Sequence, residues 1–284
     1  MSREAGDIGP KLAIIVLTHN EERNLPECLR SLEGLTYDLF VMDSGSTDRT
    51  IEIATQAGGT VNHHDFDDYS AQRNRAQASL PRKFEWVLHL DADERLTPEL
   101  VAEIDTVLAG TERVDGYLFR KRTIFLGRWI KHGGHYPSYH LRLFRPDKGR
   151  CEERRYDQHF IVDGKVLTLR NDYLDIVASD LRSWSQRHIR WAEFEAAEIA
   201  SPSVHGRRVR PKLGGTPIER KRWLRERVLY RMPLFVGPFL YFVYRYVVRG
   251  GFLDGREGLI FHFLQGCWYR FLVDGFTFEE RRAS

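Results

Sequence analysis

A repeated pattern in the first 110 residues limits the fold more than any other feature of the sequence. Leu12 to Leu17 (LAIIVL) is a near-continuous apolar run that stops in Thr18, His19, Asn20, Glu21 and Glu22. Leu39 to Met42 (LFVM) stops in Asp43, Ser44, Gly45, Ser46, Thr47 and Asp48. Trp86 to Leu90 (WVLHL) stops in Asp91, Ala92, Asp93 and Glu94, and Val61 to His63 is a shorter run of the same kind. Apolar runs of this length without alternation suit strands buried on both faces of a parallel sheet. Helical segments separate them. The first has Asn20 as N-cap and runs to about Glu33, with Leu25, Cys28, Leu29 and Leu32 on its buried face. Others span Arg49 to Ala57 and part of 65–78 (SAQRNRAQ), and the last runs from Pro98 to about Leu108 with Thr97 as N-cap. The order β-α-β-α-β-α-β-α predicts a mainly parallel sheet with right-handed crossovers and flanking helices.

In such sheets ligands bind at the carboxyl ends of the strands, where the polar clusters lie. Asp91 and Asp93 are two residues apart, so in an extended segment both point the same way. Two carboxylates on one side suit a divalent cation, Mg²⁺ or Mn²⁺. The alternative is a solvated acidic turn before a helix. Asp43 ends its strand and can face the same cleft, next to a loop of Gly and hydroxyls, Ser46 among them, that suits an anion. Arg73 and Arg75 are candidates to reach a phosphate, against a solvated helix face for either one.

Composition narrows the class. The 284 residues are 42% hydrophobic with a net charge of +3, so the chain is globular and nothing demands nucleic acid. Arg is dense from Arg182 to Arg249, which suits phosphates or an anionic membrane surface, or is a solvated surface. Cys28, Cys151 and Cys267 are odd in number and widely spaced, fitting a reducing cytosol and no disulfide framework. The polar start MSREAGDIGPK lacks a signal core, so secretion is not expected.

The stretches LAIIVLTHNEERNLPECLRSL, VMDSGSTDRTIEIA, SAQRNRAQ and WVLHLDADERLTPEL, in that order, resemble the donor-binding half of a family 2 glycosyltransferase. The resemblance implies a GT-A (Rossmann-like) α/β fold and an enzyme that inverts the anomeric centre. It implies that Thr18, Asn20 and Glu21 line the nucleotide cleft and that Asp43 contacts the donor base, usually uracil. It places Asp91 near the ribose and the metal, and gives Asp93 the metal that bridges the diphosphate. Ser46 and Arg73 join the donor-binding set.

In the second half, Gly116 to Thr123 reads as a strand, and HLRLFR as another carrying Arg142 and Arg145. His132, His135 and His140 are spaced too loosely for a zinc site, and acceptor contacts or loop packing suit them better. IFLGRWIKHGGHYP resembles a segment of the lipopolysaccharide core glucosyltransferase subgroup. That subgroup has a His-Glu pair where this chain has Asp157 and Gln158, followed by His159. Asp157 is the candidate catalytic base and His159 the second candidate, against a simple turn before a hairpin at Asp163-Gly164. Arg182 to Ala200 has helical periodicity, with Trp184, Ile189, Trp191 and Phe194 as packing residues. Ser201 to Arg222 reads as a flexible basic connection. Leu229 to Val248 and Leu259 to Val273 are apolar but interrupted by Arg. The longest uncharged run in each is shorter than the roughly 20 residues a spanning helix needs. They read as interfacial helices, or as helices packed on the protein or a second copy; the subgroup's similar tail, with GFLDGREG, favours the membrane.

The expected organisation is a donor half over 1–110, an acceptor side over 111–180 and a helical, basic, membrane-associated region over 181–284. The expected function is inverting transfer from a nucleotide sugar, UDP-linked, to a lipid-linked acceptor in lipopolysaccharide or exopolysaccharide synthesis. It would take place at the cytoplasmic face of the membrane with a divalent cation, and a homo-oligomer is left open. A sugar nucleotidyltransferase and a non-catalytic membrane-bound scaffold are the alternatives. The acidic, Gly-free loop THNEERN argues against the first.

Overall fold

The computed structural model describes residues 11–154, 157–178, 180–200 and 208–283. The polar start over 1–10, and Arg155 and Tyr156 before the candidate base, lie outside the described residues. So do residues 201–207 of the basic connection. The chain forms two compact units. One holds residues up to Leu118 with Leu141–Cys151 and Phe160–Asn171; the other holds Phe119–His140, Glu152–His159 and the chain from Asp172 onward.

The element order begins β1 (Leu12–Thr18), α1 (Leu25–Arg30), β2 (Tyr37–Asp43), α2 (Thr50–Gln56), β3 (Thr60–His63) and α3 (Tyr69–Ala78). There follow β4 (Trp86–Asp91), β5 (Glu94–Leu96), α4 (Pro98–Ala109), β6 (Gly116–Phe125), β7 (Arg128–Trp129) and β8 (Ser138–Phe144). Then come β9 (Gly149–Cys151), β10 (Phe160–Val162), β11 (Val166–Ala178), α5 (Leu181–Ala200) and α6 (Pro217–Arg227). The chain ends with α7 (Gly237–Val243), α8 (Gly255–Phe263) and α9 (Tyr269–Ala283). This is the expected α/β architecture with a helical C-terminal region.

The main sheet runs β3-β2-β1-β4-β8-β6-β11-β5, with β7 on β6. β1 is the hub. It pairs in parallel with β2 and with β4, and β2 pairs in parallel with β3. Its residues Leu12 to Val16 are buried, as a strand covered on both faces must be. The sheet turns antiparallel at β4–β8, where Val87 faces Phe144 and Leu88 faces Leu143. Thr97 caps α4, its hydroxyl accepting from the Leu100 amide, and Pro98 takes the first helical position.

Several expectations are corrected. Asn20 does not cap α1. It has a positive φ of 57°, and the helix begins only at Leu25, after a turn in which the Asn24 and Leu25 amides bond the Glu21 carbonyl. The Asp163-Gly164 turn closes no hairpin, because β10 pairs with β9 instead. Ile189 and Phe194 are exposed on α5, whose buried side carries Trp184, His188, Ala192 and Glu195. Aromatic size misled there, since small and charged residues fill the face against α9. The basic connection ends in structure: Pro217 to Arg222 belong to α6, which opens with a capping box between Thr216 and Glu219.

In the second unit Phe125, Ile130, Trp184 and Phe261 form one buried cluster, and Ala192, Tyr269 and Val273 another. Two π-helical turns, Tyr244–Val248 and Leu264–Trp268, continue α7 and separate α8 from α9.

Candidate functional site

In the first unit the parallel register brings the strand ends together. Thr18 lies opposite Asp43, and Leu17 lies opposite Asp91. Asp43 is fully buried. Its carboxylate accepts from the Thr18 hydroxyl at 2.8 Å, the Ser46 amide at 2.8 Å and the Gly45 amide at 2.9 Å, and from the Ser46 hydroxyl. Burial opposes its ionisation, but these bonds outweigh burial and hold the carboxyl below its ordinary value. Gly45 has a φ of +86°, a conformation that turns this loop back over the carboxylate at no steric cost.

The loop after β1 is fastened to the same turn. The Asn20 amide donates to the Ser46 hydroxyl at 2.8 Å, and its side-chain oxygen accepts from the Thr47 amide at 2.8 Å. The Glu21 amide donates to the Thr50 hydroxyl at 2.7 Å, and the Glu21 carboxylate accepts from the Asn24 side chain. Asn suits the left-handed position because its short polar side chain bonds locally. Thr18, Asn20, Asp43 and Ser46 therefore form one hydrogen-bonded rim, with Glu21 fastened next to it through Thr50.

The second feature is at Asp91. The chain does not stay extended through the D-x-D: β4 ends at Asp91, and Ala92 and Asp93 form a turn into β5. The same-side argument for Asp91 and Asp93 therefore does not apply. Ala92 is buried and Asp93 half-buried. The Asp91 carboxylate takes the Arg73 guanidinium at 2.8 and 3.1 Å and Arg142 at 3.2 Å. Burial raises its pKa, but the two arginines outweigh burial and hold it well below the ordinary range. Arg142 also pairs with buried Glu94, whose other oxygen accepts the Asp91 amide at 3.0 Å.

The SAQRNRAQ helix supports both features. Gln72, buried, donates to the Ser44 hydroxyl at 3.0 Å and the His64 carbonyl at 2.9 Å. Asn74 bonds both backbone groups of Cys151, at 3.0 and 2.9 Å, and so pairs with β9. Arg73 reaches Asp91, whereas Arg75 is exposed. Sequence reasoning missed Gln72, Asn74, Arg142 and Glu94 as supports of the site. Their partners lie far away in the chain, and the one available signal was the polar density of that helix.

In the second unit Asp157 has a φ of 55° and is held on several sides. Arg225 lies 2.8 Å from its carboxylate, Arg222 at 3.5 Å, and the His159 ring nitrogen Nε2 at 3.4 Å. Burial raises its pKa, but Arg225, His159 and Arg222 outweigh burial and hold it well below the ordinary range. His159 is lowered by burial, and Asp157 only partly restores it, so the imidazole is neutral at pH 7. The loop is tied down by Glu152, fully buried, which receives Arg222 through two contacts of 2.6 Å and the His159 amide at 2.9 Å. Of the three histidines read as acceptor contacts or loop packing, His132 bonds Asp254 at 2.6 Å and His135 bonds Thr123 at 2.7 Å, as packing groups do.

A divalent cation requires hard oxygen donors. Among the described residues no group of three or more His, Cys, Asp or Glu is arranged to hold one. One or two carboxylates completed by water and ligand phosphates are an ordinary set for Mg²⁺. Asp93 has the donor chemistry of that set, whereas the Asp91 carboxylate beside it in sequence already takes Arg73 and Arg142.

The family model described as glycosyl transferase family 2 matches residues 13–174. A TPR repeat-containing protein of Synechococcus elongatus is 35% identical over 161 residues, which cover 56% of this chain and 37% of that protein. An uncharacterized glycosyltransferase of Rickettsia typhi is 33% identical over 108 residues, covering 38% of this chain and 36% of that one. The lipopolysaccharide core biosynthesis glycosyltransferase LpsC of Rhizobium meliloti is 29% identical over 167 residues, covering 55% and 60%. The match thus spans less than two thirds of each of these curated relatives. Among solved structures, Staphylococcus aureus TarS 1-349 aligns with a TM-score of 0.47 at 13% identity, covering 96% of this chain and 92% of that one.

Proposed function

Because the chain belongs to glycosyl transferase family 2, we propose that it transfers a sugar, with inversion, from a nucleotide donor, UDP-linked, to a lipid-linked saccharide acceptor of lipopolysaccharide or exopolysaccharide synthesis. The observation that carries this reading is the shared sheet edge of the first unit. There the Thr18–Asp43–Ser46 rim stands at the ends of β1 and β2, and the Asp91 turn at the end of β4 on the other side of β1. The reading takes a donor half over 1–110 and an acceptor side over 111–180.

The rim receives the nucleoside. Asp43 shapes the loop after β2 and, with Thr18, Asn20 and Glu21, sets the polar lining that meets the base. Arg73 offers positive charge at the phosphate end and orients Asp91 toward the ribose. Asp93, with Asp91, would hold Mg²⁺ or Mn²⁺, which supplies charge neutralisation to the departing diphosphate when bound. His159 takes the proton from the acceptor hydroxyl. The freed oxygen bonds the anomeric carbon from the face opposite the diphosphate, and the carbon–oxygen bond to the nucleotide breaks, releasing nucleoside diphosphate. His159 suits the base role better than Asp157, because Asp157 is committed to two arginines and the neutral imidazole is free to accept. Asp157 then orients the ring and stabilises the imidazolium.

The tail suits a membrane surface. Phe239, Leu240, Val243, Val247, Val248, Phe252 and Leu253 are all more than about two fifths exposed, with Arg231, Arg249 and Arg256 exposed among them. The carboxylates in this stretch are withdrawn: Asp254 is buried and Glu257 faces Arg128. Among the described residues no helix is long and apolar enough to cross a membrane, so the tail would lie in the interface on the cytoplasmic face.

The test is a panel of nucleotides and nucleotide sugars with and without Mn²⁺, read by thermal shift and by donor turnover. UDP and one UDP-sugar are expected to stabilise the protein, and Asp93→Ala is expected to remove the metal-dependent part. No shift or turnover with any nucleotide, or a fully active Asp93→Ala, overturns the reading.

A further inference from the structure

In the second unit β6 and β11 carry a cluster of cations on the face turned away from the candidate base. Successive strand residues point to opposite faces. On β11, the Tyr173 ring lies 6.2 Å from that of His140, which lies 6.1 Å from that of His159. Asp175 shares the face of Tyr173 and pairs with Lys121 of β6. Asp172 points the other way, and so do Arg120 and Arg122 on either side of Lys121.

Asp172 is buried. Its two oxygens meet Arg120 Nε at 2.8 Å and Arg122 Nε at 2.6 Å, and both accept the Tyr136 hydroxyl, at 3.2 and 3.0 Å. Both arginines are therefore held by Nε. The terminal nitrogens of both make no hydrogen bond to another described residue, and the two side chains are 33% and 38% exposed. The Arg122 guanidinium carbon also lies 4.8 Å from the centroid of the Trp129 ring, and Lys131 Nζ lies 5.3 Å from the same centroid. The Tyr136 ring meets Trp129 edge-on at 5.1 Å. Arg122 thus shares a carboxylate with Arg120 and an indole with Lys131, so contact joins the three cations in one cluster. Among the described residues no second carboxylate pairs with any of them.

Charge then selects the ligand. Three cations and one carboxylate leave two positive charges. Because Asp172 occupies only Nε, each guanidinium keeps its outer edge, whose paired N–H groups match phosphate oxygens. A phosphate monoester carries about 1.5–2 negative charges and three acceptor oxygens near neutral pH. A carboxylate would leave one cation unbalanced.

We propose that Arg120, Arg122 and Lys131 bind a phosphate dianion, free or esterified to a sugar, at a site separate from that of transfer. The site faces away from the side that Tyr173 and His140 share with His159, and it stands whether or not the transferase reading does.

The test is titration calorimetry on the full chain with glucose 6-phosphate, inorganic phosphate and glucose, beside tryptophan fluorescence. Heat is expected from both phosphates and not from glucose. Tighter binding of glucose 6-phosphate assigns the ester as the ligand, and equal or tighter binding of inorganic phosphate assigns the free ion. Arg120→Gln and Arg122→Gln are each expected to weaken binding about tenfold, the loss of a hydrogen bond between charged groups. Lys131→Gln is expected to weaken it about threefold. Lys131 is exposed and pairs with no described carboxylate, so this variant tests the site even where an arginine variant does not fold. The chain has six tryptophans, and Trp129→Phe is expected to abolish the fluorescence response while the heat remains. UDP–Mn²⁺ is expected to leave the phosphate affinity unchanged. No heat from either phosphate at millimolar concentration, wild-type affinity in Arg122→Gln and Lys131→Gln, or displacement by UDP–Mn²⁺ overturns the site. Absence of UDP–Mn²⁺ binding beside retained phosphate binding overturns the transferase reading alone.

Discussion

Arg222→Met tests how the candidate base is held. Glu152 is fully buried and Arg222 is 2% exposed, with both contacts between them at 2.6 Å. Glu152 also accepts the His159 amide at 2.9 Å and the Val209 amide at 3.0 Å, and Arg222 donates to the Asp157 carbonyl at 2.9 Å. Removing the guanidinium takes from a fully buried carboxylate the cation that holds it through both contacts. Breaking a buried pair from one side costs about 3–5 kcal/mol. With a urea dependence of about 2–3 kcal/mol per molar, the unfolding midpoint falls by about 1–2.5 M. Glu152→Gln/Arg222→Met removes the stranded charge, so the double variant is expected to be more stable than Arg222→Met alone. The assay is urea unfolding of the wild type, Arg222→Met, Glu152→Gln and the double variant at pH 7.5, followed by circular dichroism. A loss below about 1 kcal/mol for Arg222→Met, or a double variant less stable than that single one, refutes the assignment of a pair worth this much.

Three further outcomes are expected. Asp43→Asn weakens UDP binding and destabilises the first unit by about 1–3 kcal/mol, since an amide cannot accept all four bonds. The folded carboxyl lies below its unfolded value, so its contribution is complete above about pH 4 and fades as pH falls through the folded value. An acid-unfolding profile unchanged by the substitution contradicts this. His159→Gln lowers kcat by about 10²–10⁴ with little change in donor KM, and a nearly fully active His159→Gln beside an inactive Asp157→Asn returns the base role to Asp157. Phe239→Asp with Val243→Asp reduces flotation with vesicles of one-third phosphatidylglycerol; unchanged flotation refutes an interfacial tail.

The sheet and most helices were legible in the sequence because their signals are local. Unbroken apolar runs marked β1, β2 and β4, and Thr97-Pro98 marked the start of α4. The supports of the site were not legible. Arg142 with Glu94 and Arg222 with Glu152 are pairs 48 and 70 residues apart, and nothing near any of the four announces its partner. Asn20 was misread for a related reason. Its side chain could satisfy a helix start or a neighbouring loop, and the Thr47 amide, 27 residues on, decided it. The D-x-D showed which residues cluster but not that the chain turns between them.

β1 also acts as a ruler. It presents no acid of its own at the site, yet it separates β2 from β4, and parallel strands lie about 4.8 Å apart, so the two working edges stand about 10 Å from one another. That gap is set by backbone hydrogen bonds, which no side-chain substitution shortens. A ligand engaging both edges must carry its two recognised groups at that separation. On the proposed donor reading, selection by length is built into the main chain, and changes to Thr18, Asp43 or Asp91 alter how tightly a ligand is gripped and not how long it has to be.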